Sequence, residues 1–278
     1  MYIYGYENLN RDLSILSKNK LVTIQSAGKS VQQRELYYIT IGTGDYKVFF
    51  NGAHHGMEWI TSAMLIRFCK EFSDCAARSV PFCGYDTKKI LERSTLFVLP
   101  MVNPDGIQIG IETPELAASW QANARGVDLN HNYNAGWQFT KQAELEEGIK
   151  QPGPTRYGGE FPESEPETKA MVALTRQEEF DLALCYHTQG EEIYYQYGAY
   201  HPRRSSTLAK AFASVSGYQL ASPPKIASHG GYKDWFIQTF QKPGFTIEAG
   251  LGKNPLSIFQ LEEMYHKNKR LLALAAYY

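Results

Sequence analysis

Apolar residues along the chain follow two patterns: short runs rich in aromatic and β-branched residues, and longer stretches with helical spacing. The short runs predict strands at residues 35–42, 46–52, 94–104, 181–187, 192–197 and 244–250. The helical spacing predicts helices at residues 6–18, 58–72, 165–180 and 257–278. Residues 120–137 are polar and interrupted by glycine, so we expect a loop there. Strands that alternate with helices predict a single α/β domain over residues 1–278, with a mixed, largely parallel β-sheet flanked by helices.

Three of the predicted strands end in side chains that can bind a metal or move a proton. His54 and His55 follow the strand at residues 46–52, and His187 and Glu248 end two later strands. In sheets of this kind the ligand site lies beyond the carboxyl ends of the strands. We therefore expect these side chains to meet at one edge of the sheet.

His55 and Glu58 are spaced for binding one ion, since they lie three residues apart where a strand gives way to a helix. Imidazole and carboxylate are zinc ligands, and a catalytic zinc takes three protein ligands and a water molecule. His187 is the best candidate for the third ligand. His54 has the same chemistry, but the alternation along a strand directs it elsewhere. On spacing alone, the alternative is a pair of surface residues.

Composition removes several classes of function. The 28 Lys and Arg residues nearly balance 29 Asp and Glu residues, so no charge excess indicates binding of nucleic acid or of a membrane surface. No apolar run is long enough for membrane insertion. The four cysteines form no CxxC pair, and we interpret them as reduced thiols. The first residues have no signal-peptide pattern, which predicts a cytoplasmic protein.

Five motifs occur together in an order that resembles a known family. They are HHGMEWIT, NPDG, GVDLNHNYNAGW, YHTQGEEIYY and FTIEAGLGKNPL. The chain resembles the zinc metallocarboxypeptidases over nearly its whole length. Within them it looks most like the bacterial gamma-D-glutamyl-L-diamino-acid endopeptidases, which cut cell-wall peptides.

The resemblance implies roles for five residues. His55, Glu58 and His187 match the ligands of a single Zn²⁺ per chain, and Glu248 matches the catalytic glutamate. Such a carboxylate takes the proton of the attacking water and returns it to the leaving amine. Arg125 matches the arginine that stabilises the oxyanion in the family. The alternatives are a strand-end ion pair for Glu248 and a solvated loop position for Arg125.

The substrate-binding pair of the family is altered. In carboxypeptidases the VD-x-N motif is followed by an arginine, and that arginine and the asparagine bind the free C-terminal carboxylate of the substrate. This sequence has Asn130 and His131, and the resemblance implies that this pair orients the carboxylate of the substrate. Histidine cannot reproduce the bidentate fork of arginine. His131 therefore favours a substrate that presents something other than an ordinary C-terminus.

A second departure lies in residues 223–235. Lys225 stands where carboxypeptidases have a mobile tyrosine, and His229 or Tyr232 could take over its part. Lys233 matches the residue at the base of the specificity pocket, where a cation predicts an anionic group on the substrate side chain. Meso-diaminopimelate has such a group. The alternative is that Lys233 is a surface lysine.

Asp105 of the NPDG motif is predicted to orient a histidine ligand.

These assignments predict a zinc peptidase that cuts the bond between gamma-D-glutamate and a diamino acid, meso-diaminopimelate or lysine, in peptidoglycan-derived peptides. It would act on recycled muropeptides in the cytoplasm, or reach the wall or spore when the cell lyses or sporulates. One alternative is a carboxypeptidase that removes ordinary C-terminal residues. Another is a non-catalytic module that binds wall peptides, although it would usually have lost a ligand or the glutamate.

Overall fold

A single mixed β-sheet of eight strands organises the protein. The structure is a computed structural model that describes residues 2–278, so residue 1 of the predicted domain lies outside the described part. The strands are β1 Val22–Lys29, β2 Glu35–Ile41, β3 Tyr46–Gly52, β4 Ser94–Leu99, β5 Leu182–His187, β6 Glu192–Tyr194, β7 Gln219–Leu220 and β8 Gly244–Glu248. Their order across the sheet is β1-β2-β4-β3-β5-β8-β6-β7.

The centre of the sheet is parallel. β3 pairs in parallel with β4 on one side and with β5 on the other, and β5 pairs in parallel with β8. Antiparallel pairs join β1 to β2, β2 to β4, and β6 to β8. The mixed, largely parallel sheet predicted from the sequence is confirmed. The carboxyl ends of β3, β5 and β8 consequently lie side by side.

Helices cover both faces of the sheet. They are α1 Tyr6–Leu16, α2 Ile60–Ala77, α3 Thr87–Arg93, α4 Pro104–Glu112, α5 Trp137–Glu146, α6 Pro166–Glu178, α7 Ser205–Ser216, α8 Tyr232–Phe240 and α9 Leu261–Tyr277. One core contains Phe50 of β3 with α1, α2, α7 and α9, and the other contains the neighbouring Phe49 with α6 and α8. Successive side chains of a strand point to opposite faces, so one apolar run supplies both cores.

The strongly periodic segments were predicted well, and the short or polar ones were not. The helices predicted at residues 165–180 and 257–278 are observed as α6 and α9. Strand β1 carries exposed polar residues at the edge of the sheet and was missed, as were the helices α3, α4, α5, α7 and α8. All four cysteines are free, as predicted. Within residues 2–278, none of the helices combines the length and apolarity that crossing a bilayer requires.

Candidate active site

Three strand ends deliver the predicted metal and proton-transfer groups to one place. β3 and β5 are in register up to Gly52 and Tyr186, and the chain continues from Gly52 to His55. His187 at the end of β5 pairs directly with Glu248 at the end of β8. The predicted convergence at one edge of the sheet is therefore confirmed.

A tight turn holds Glu58 beside His55. Residues Gly56–Glu58 form a 3₁₀ helix directly after the strand end. The Thr61 hydroxyl accepts a hydrogen bond from the Ala53 N–H (2.9 Å) and donates one to the Glu58 carbonyl (2.8 Å). These bonds close the loop between β3 and α2, so the spacing of three residues places both side chains on the same side.

His55, Glu58 and His187 form a ligand set that fits a metal ion. The Nδ1 atom of His55 lies 2.8 Å from one oxygen of Glu58, and Nδ1 of His187 lies 3.0 Å from the other. One ligand atom from each residue lies within 4.8 Å of the others. Two imidazoles and a carboxylate are the donor set of many catalytic zinc sites. Glu58 is only 2% exposed, and a carboxylate is rarely buried so deeply without a cation.

Asp128 prepares His55 for the metal. An Asp128 oxygen lies 3.2 Å from Nε2 of His55, which holds the ring proton on Nε2 and leaves the lone pair of Nδ1 directed at the ligand set. Burial opposes the ionisation of Asp128. The charges of His131 and His55, with the hydrogen bonds that it accepts, nevertheless hold the pKa of its carboxyl well below the usual range. An ionised Asp128 suits this orienting role.

Asp105 does not orient a histidine ligand, so its predicted role was wrong. Its carboxylate accepts hydrogen bonds from the Ser30 hydroxyl, the Gln32 N–H and the Arg34 guanidinium. The NPDG motif shapes the site through Asn103 instead. The Asn103 amide donates a hydrogen bond to the His54 carbonyl at 3.0 Å, which fixes the backbone beside the first ligand.

Glu248 lies in the cleft beside the ligand set. Burial raises the pKa of its carboxyl well above the ordinary value, and the charge of Glu58 adds to this effect. The charge of a bound Zn²⁺ acts in the opposite direction. A carboxylate whose proton affinity is set by such opposing influences can both accept and release a proton during a reaction.

The cleft has a volume of about 330 Å³ and contains three of the predicted substrate-binding residues. Asn130 and His131 lie on a 3₁₀ helix, Leu129–His131, which Asp128 caps. Lys233 also lines the cleft, but it is only 5% exposed, and its ammonium lies 2.5 Å from the Asp234 carboxylate. Burial raises the pKa of Asp234, although the charge of Lys233 opposes that shift. The predicted cation at the pocket base is thus already paired within the protein.

Three other predicted residues do not line the cleft. Arg125 is exposed and contacts Glu165 at 3.6 Å in a separate surface pocket, so its position does not support the predicted oxyanion role. Tyr232 is fully buried, and its hydroxyl hydrogen-bonds to Thr175 at 2.8 Å. His229 contacts the Tyr197 hydroxyl at 3.1 Å, outside the cleft wall. A buried tyrosine cannot swing over a substrate, which corrects the interpretation of Tyr232.

Several cleft residues were not singled out as site residues from the sequence. They are Gln121, Asp128, Arg156, Thr188, Tyr194, Pro223, Pro224, Ala227, Gly231, Asp234 and Thr246. Asp128 belongs to the VD-x-N motif, and that signal could have identified it. Tyr194 belongs to the YHTQGEEIYY motif, and that signal could have identified it as well. Arg156 belongs to none of the five motifs and reaches the cleft only through the path of the folded chain.

The α/β sheet and its buried histidine–glutamate–histidine site define the class of a zinc hydrolase. Residues 14–271 match the family model described as zinc carboxypeptidase, and the chain belongs to this family. The family is one of zinc peptidases, and the predicted Zn²⁺ and its three ligands fit the family and the geometry of the site.

Similar proteins occur in bacteria and in animals. The chain is 34% identical to gamma-D-glutamyl-L-diamino acid endopeptidase 1 of Lysinibacillus sphaericus over 86% of this chain and 63% of that protein. It is 32% identical to the uncharacterized protein YqgT of Bacillus subtilis over 99% of this chain and 78% of that protein. The structure of bovine thrombin-activatable fibrinolysis inhibitor superposes with a TM-score of 0.79 at 18% identity, covering 99% of this chain and 96% of that one. This chain thus spans less than two thirds of the endopeptidase.

Proposed function

We propose that the protein hydrolyses the bond between gamma-D-glutamate and a diamino acid, meso-diaminopimelate or lysine, in peptides derived from peptidoglycan. The observation that carries this proposal is the 34% identity to a gamma-D-glutamyl-L-diamino acid endopeptidase over most of the chain. The cleft adds support, because His131 stands beside Asn130 where carboxypeptidases have arginine. The cytoplasmic location stays a prediction.

The proposed reaction assigns the proton transfers to Glu248. When bound, zinc lowers the pKa of a water molecule and polarises the scissile carbonyl. Glu248 accepts one proton of the attacking water as oxygen bonds to the carbonyl carbon. It then donates that proton to the amide nitrogen as the carbon–nitrogen bond breaks, so the diamino acid leaves with a neutral amine. The carboxyl of gamma-D-glutamate keeps the oxygen of the water.

The remaining cleft residues bind and orient the peptide. Asp128 keeps His55 in place, and Asn130 and Tyr194 present polar groups to the substrate. Pro223, Pro224 and Ala227 add apolar surface to the lining of the cleft. Holding the carbonyl between a proton acceptor and the metal site accounts for much of the rate enhancement in such reactions.

Digestion of L-Ala-gamma-D-Glu-meso-diaminopimelate tests the proposal. The zinc-loaded protein should release free diaminopimelate, detected by mass spectrometry, and Glu248→Gln should release none while still binding zinc. Glu147→Gln, which changes an exposed carboxylate on the surface, is the matched control and should behave as wild type. An intact tripeptide after incubation with zinc-loaded wild type would refute the proposal.

The carboxypeptidase alternative has one observation in its favour, since Asn130 lines the cleft as the resemblance predicts. Its test uses an ordinary alpha-linked dipeptide mimic with a free C-terminus and the same compound with a blocked C-terminus. Trimming of the free compound, with the gamma-linked tripeptide left intact, would establish the alternative.

A further inference from the structure

Arg156 is the cation of the cleft that has no acidic partner. It lines the cleft between α5 and α6 and is half-buried. Among residues 2–278, no carboxylate forms an ion pair with its guanidinium, and no hydrogen bond of that group is present. Arg125 and Lys233 differ, because each has a carboxylate neighbour. A half-buried guanidinium without a protein partner is available for an anionic ligand.

The backbone of Arg156 is tied to the substrate-binding end of the cleft. Its N–H donates a hydrogen bond to Asp128 at 3.1 Å, and its carbonyl lies 3.0 Å from Nδ1 of His131. Asp128 also accepts a bond from the Asn130 N–H at 3.1 Å. Arg156 is thereby anchored beside Asn130, the residue that matches the carboxylate-binding asparagine of carboxypeptidases.

The backbone of Arg156 adopts a conformation that is unusual for a residue with a side chain. Its φ is +70°, in the left-handed region that glycine adopts without strain and that residues with a Cβ atom rarely adopt. Strain of this kind persists where the surroundings hold it, and it is common at functional sites. The two hydrogen bonds described above hold this conformation.

We propose that Arg156 binds the alpha-carboxylate of the residue that leaves, in place of the arginine that follows VD-x-N in carboxypeptidases. This inference rests on the proposed function. His131 places no guanidinium at its own position, and its Nδ1 atom contacts the backbone carbonyl of Arg156 instead. Asn130 and Arg156 together form the carboxylate site, supplied by two segments of the chain instead of one.

The charges of the cleft are consistent with a role for Arg156 in binding an anionic group. Glu58, Asp128 and Glu248 all line the cleft, and each is an acid. The charge of Lys233 is matched by that of Asp234. The charge of a bound Zn²⁺ offsets part of this acidity at the metal site, and Arg156 adds an unpaired cation at the substrate-binding end of the cleft.

The test compares two substrates that differ only at the alpha-carboxylate. They are L-Ala-gamma-D-Glu-L-Lys, whose leaving residue has a single carboxylate, and the same peptide with a C-terminal amide. Zinc-loaded wild type should prefer the free acid by about 10- to 100-fold in kcat/KM, the usual range for a charge-assisted hydrogen-bonded pair. Arg156→Ala should remove this preference, mainly by raising KM for the free acid, and should leave hydrolysis of the amide nearly unchanged.

Two variants serve as controls. Arg156→Lys retains a cation without the fork and should recover part of the preference. Arg176→Ala removes an exposed arginine of α6 and should leave both substrates unaffected. Zinc content of each variant is measured, because a general disturbance of the site would lower it.

Two results would overturn the inference: an equal loss of kcat on both substrates in Arg156→Ala, or an undiminished preference for the free acid. The first would indicate that Arg156 acts on the oxyanion or on the fold of the loop. Failure of the proposed function is recognised separately, since wild type would then cut neither gamma-linked peptide. The same acid and amide comparison is then made on an alpha-linked dipeptide, where Arg156→Ala must again abolish the preference.

Discussion

Asp128 connects the metal site to the substrate site through one carboxylate. One oxygen contacts Nε2 of His55 and the Asn130 N–H, and the other accepts the Arg156 N–H. Groups that orient a metal-binding histidine in this way raise the affinity of the site for its metal. Asp128 therefore fixes the orientation of the metal ligand His55 and the position of the loop that carries Arg156.

Replacing Asp128 with alanine should weaken zinc binding by about 10- to 100-fold, the usual effect of removing such a partner. Competition with a chromogenic chelator measures the affinity. Asp128→Asn retains one oxygen that can accept from His55, and it should lose less. Equal affinity in Asp128→Ala and wild type would contradict the orienting role.

At the residue scale, the location of a site residue can be predicted from the sequence when the residue belongs to a short motif. His55, Glu58 and Glu248 stand at strand ends, where the direction of the chain fixes their location, and they are found together. Arg156 lies in the long loop between α5 and α6, whereas Lys233 lies in the first turn of α8 beside Asp234, and adjacency in the sequence does not by itself make an ion pair. Nothing in the local sequence shows which cation is paired, so their availability could not be predicted.

At the scale of elements, the 3₁₀ helix Gly56–Glu58 is packed against the first turn of α4. A Cβ atom on Gly56 would lie 2.5 Å from the backbone carbon of Gly106 and 2.6 Å from its carbonyl oxygen. The Gly56 N–H donates to the Gln121 carbonyl at 3.0 Å. The close contact between two glycines is what allows the turn to present Glu58 to the metal.

Gly56→Ala should destabilise the protein by about 1–3 kcal/mol, since the added methyl group must displace rigid backbone. It should also lower zinc affinity, because the turn carries Glu58. Urea denaturation and chelator competition give the two values. Gly153→Ala is the matched control, as its Cβ would meet only the Gln151 carbonyl at 3.9 Å, and no change beyond a few tenths of a kcal/mol is expected. Equal stability of Gly56→Ala and wild type would show that the turn adapts.

Element boundaries were predicted closely only where periodicity was strong. The helix predicted from residue 58 begins at Ile60, after the 3₁₀ turn that holds Glu58. The strand predicted at residues 94–104 ends at Leu99, since the polar turn that follows leads into α4. Short elements such as β7, with two residues, are created by pairing with a neighbour and leave no pattern of their own.

At the scale of the whole molecule, the buried carboxyl of Glu167 joins three segments. It accepts hydrogen bonds from the Val31 N–H at 3.0 Å, between β1 and β2, and from the Asn123 amide at 3.2 Å. Burial raises the pKa of Glu167 to about 7 from 4.5, and the charge of Asp105 contributes. Glu167 therefore binds its proton more tightly in the folded protein than in the unfolded chain.

This shift makes folding stability fall as the pH rises. Below pH 4.5 both states hold the proton, whereas between pH 4.5 and about 7 the unfolded chain releases it first and is favoured. The contribution of Glu167 should thus decline through this window, by an amount on the order of a few kcal/mol. Glu167→Gln should show a flatter dependence of the free energy of unfolding on pH.

Urea denaturation of the metal-free proteins between pH 4.5 and 8 provides the comparison. Glu115→Gln alters an exposed carboxylate and is the control, which should follow the wild-type curve. Parallel curves for wild type and Glu167→Gln would show that the carboxyl does not titrate in this window.

The zinc site is assembled from two distant parts of the chain, since Glu58 and His187 lie 129 positions apart and meet only through the pairing of β3 with β5. A ribosome makes the chain from the amino end, so the first two ligands exist long before the third. A growing chain cannot hold the ion with its full ligand set until β5 has emerged and joined the sheet. An incomplete chain that ends before β5 therefore lacks the third ligand, and one that ends before β8 lacks Glu248 as well.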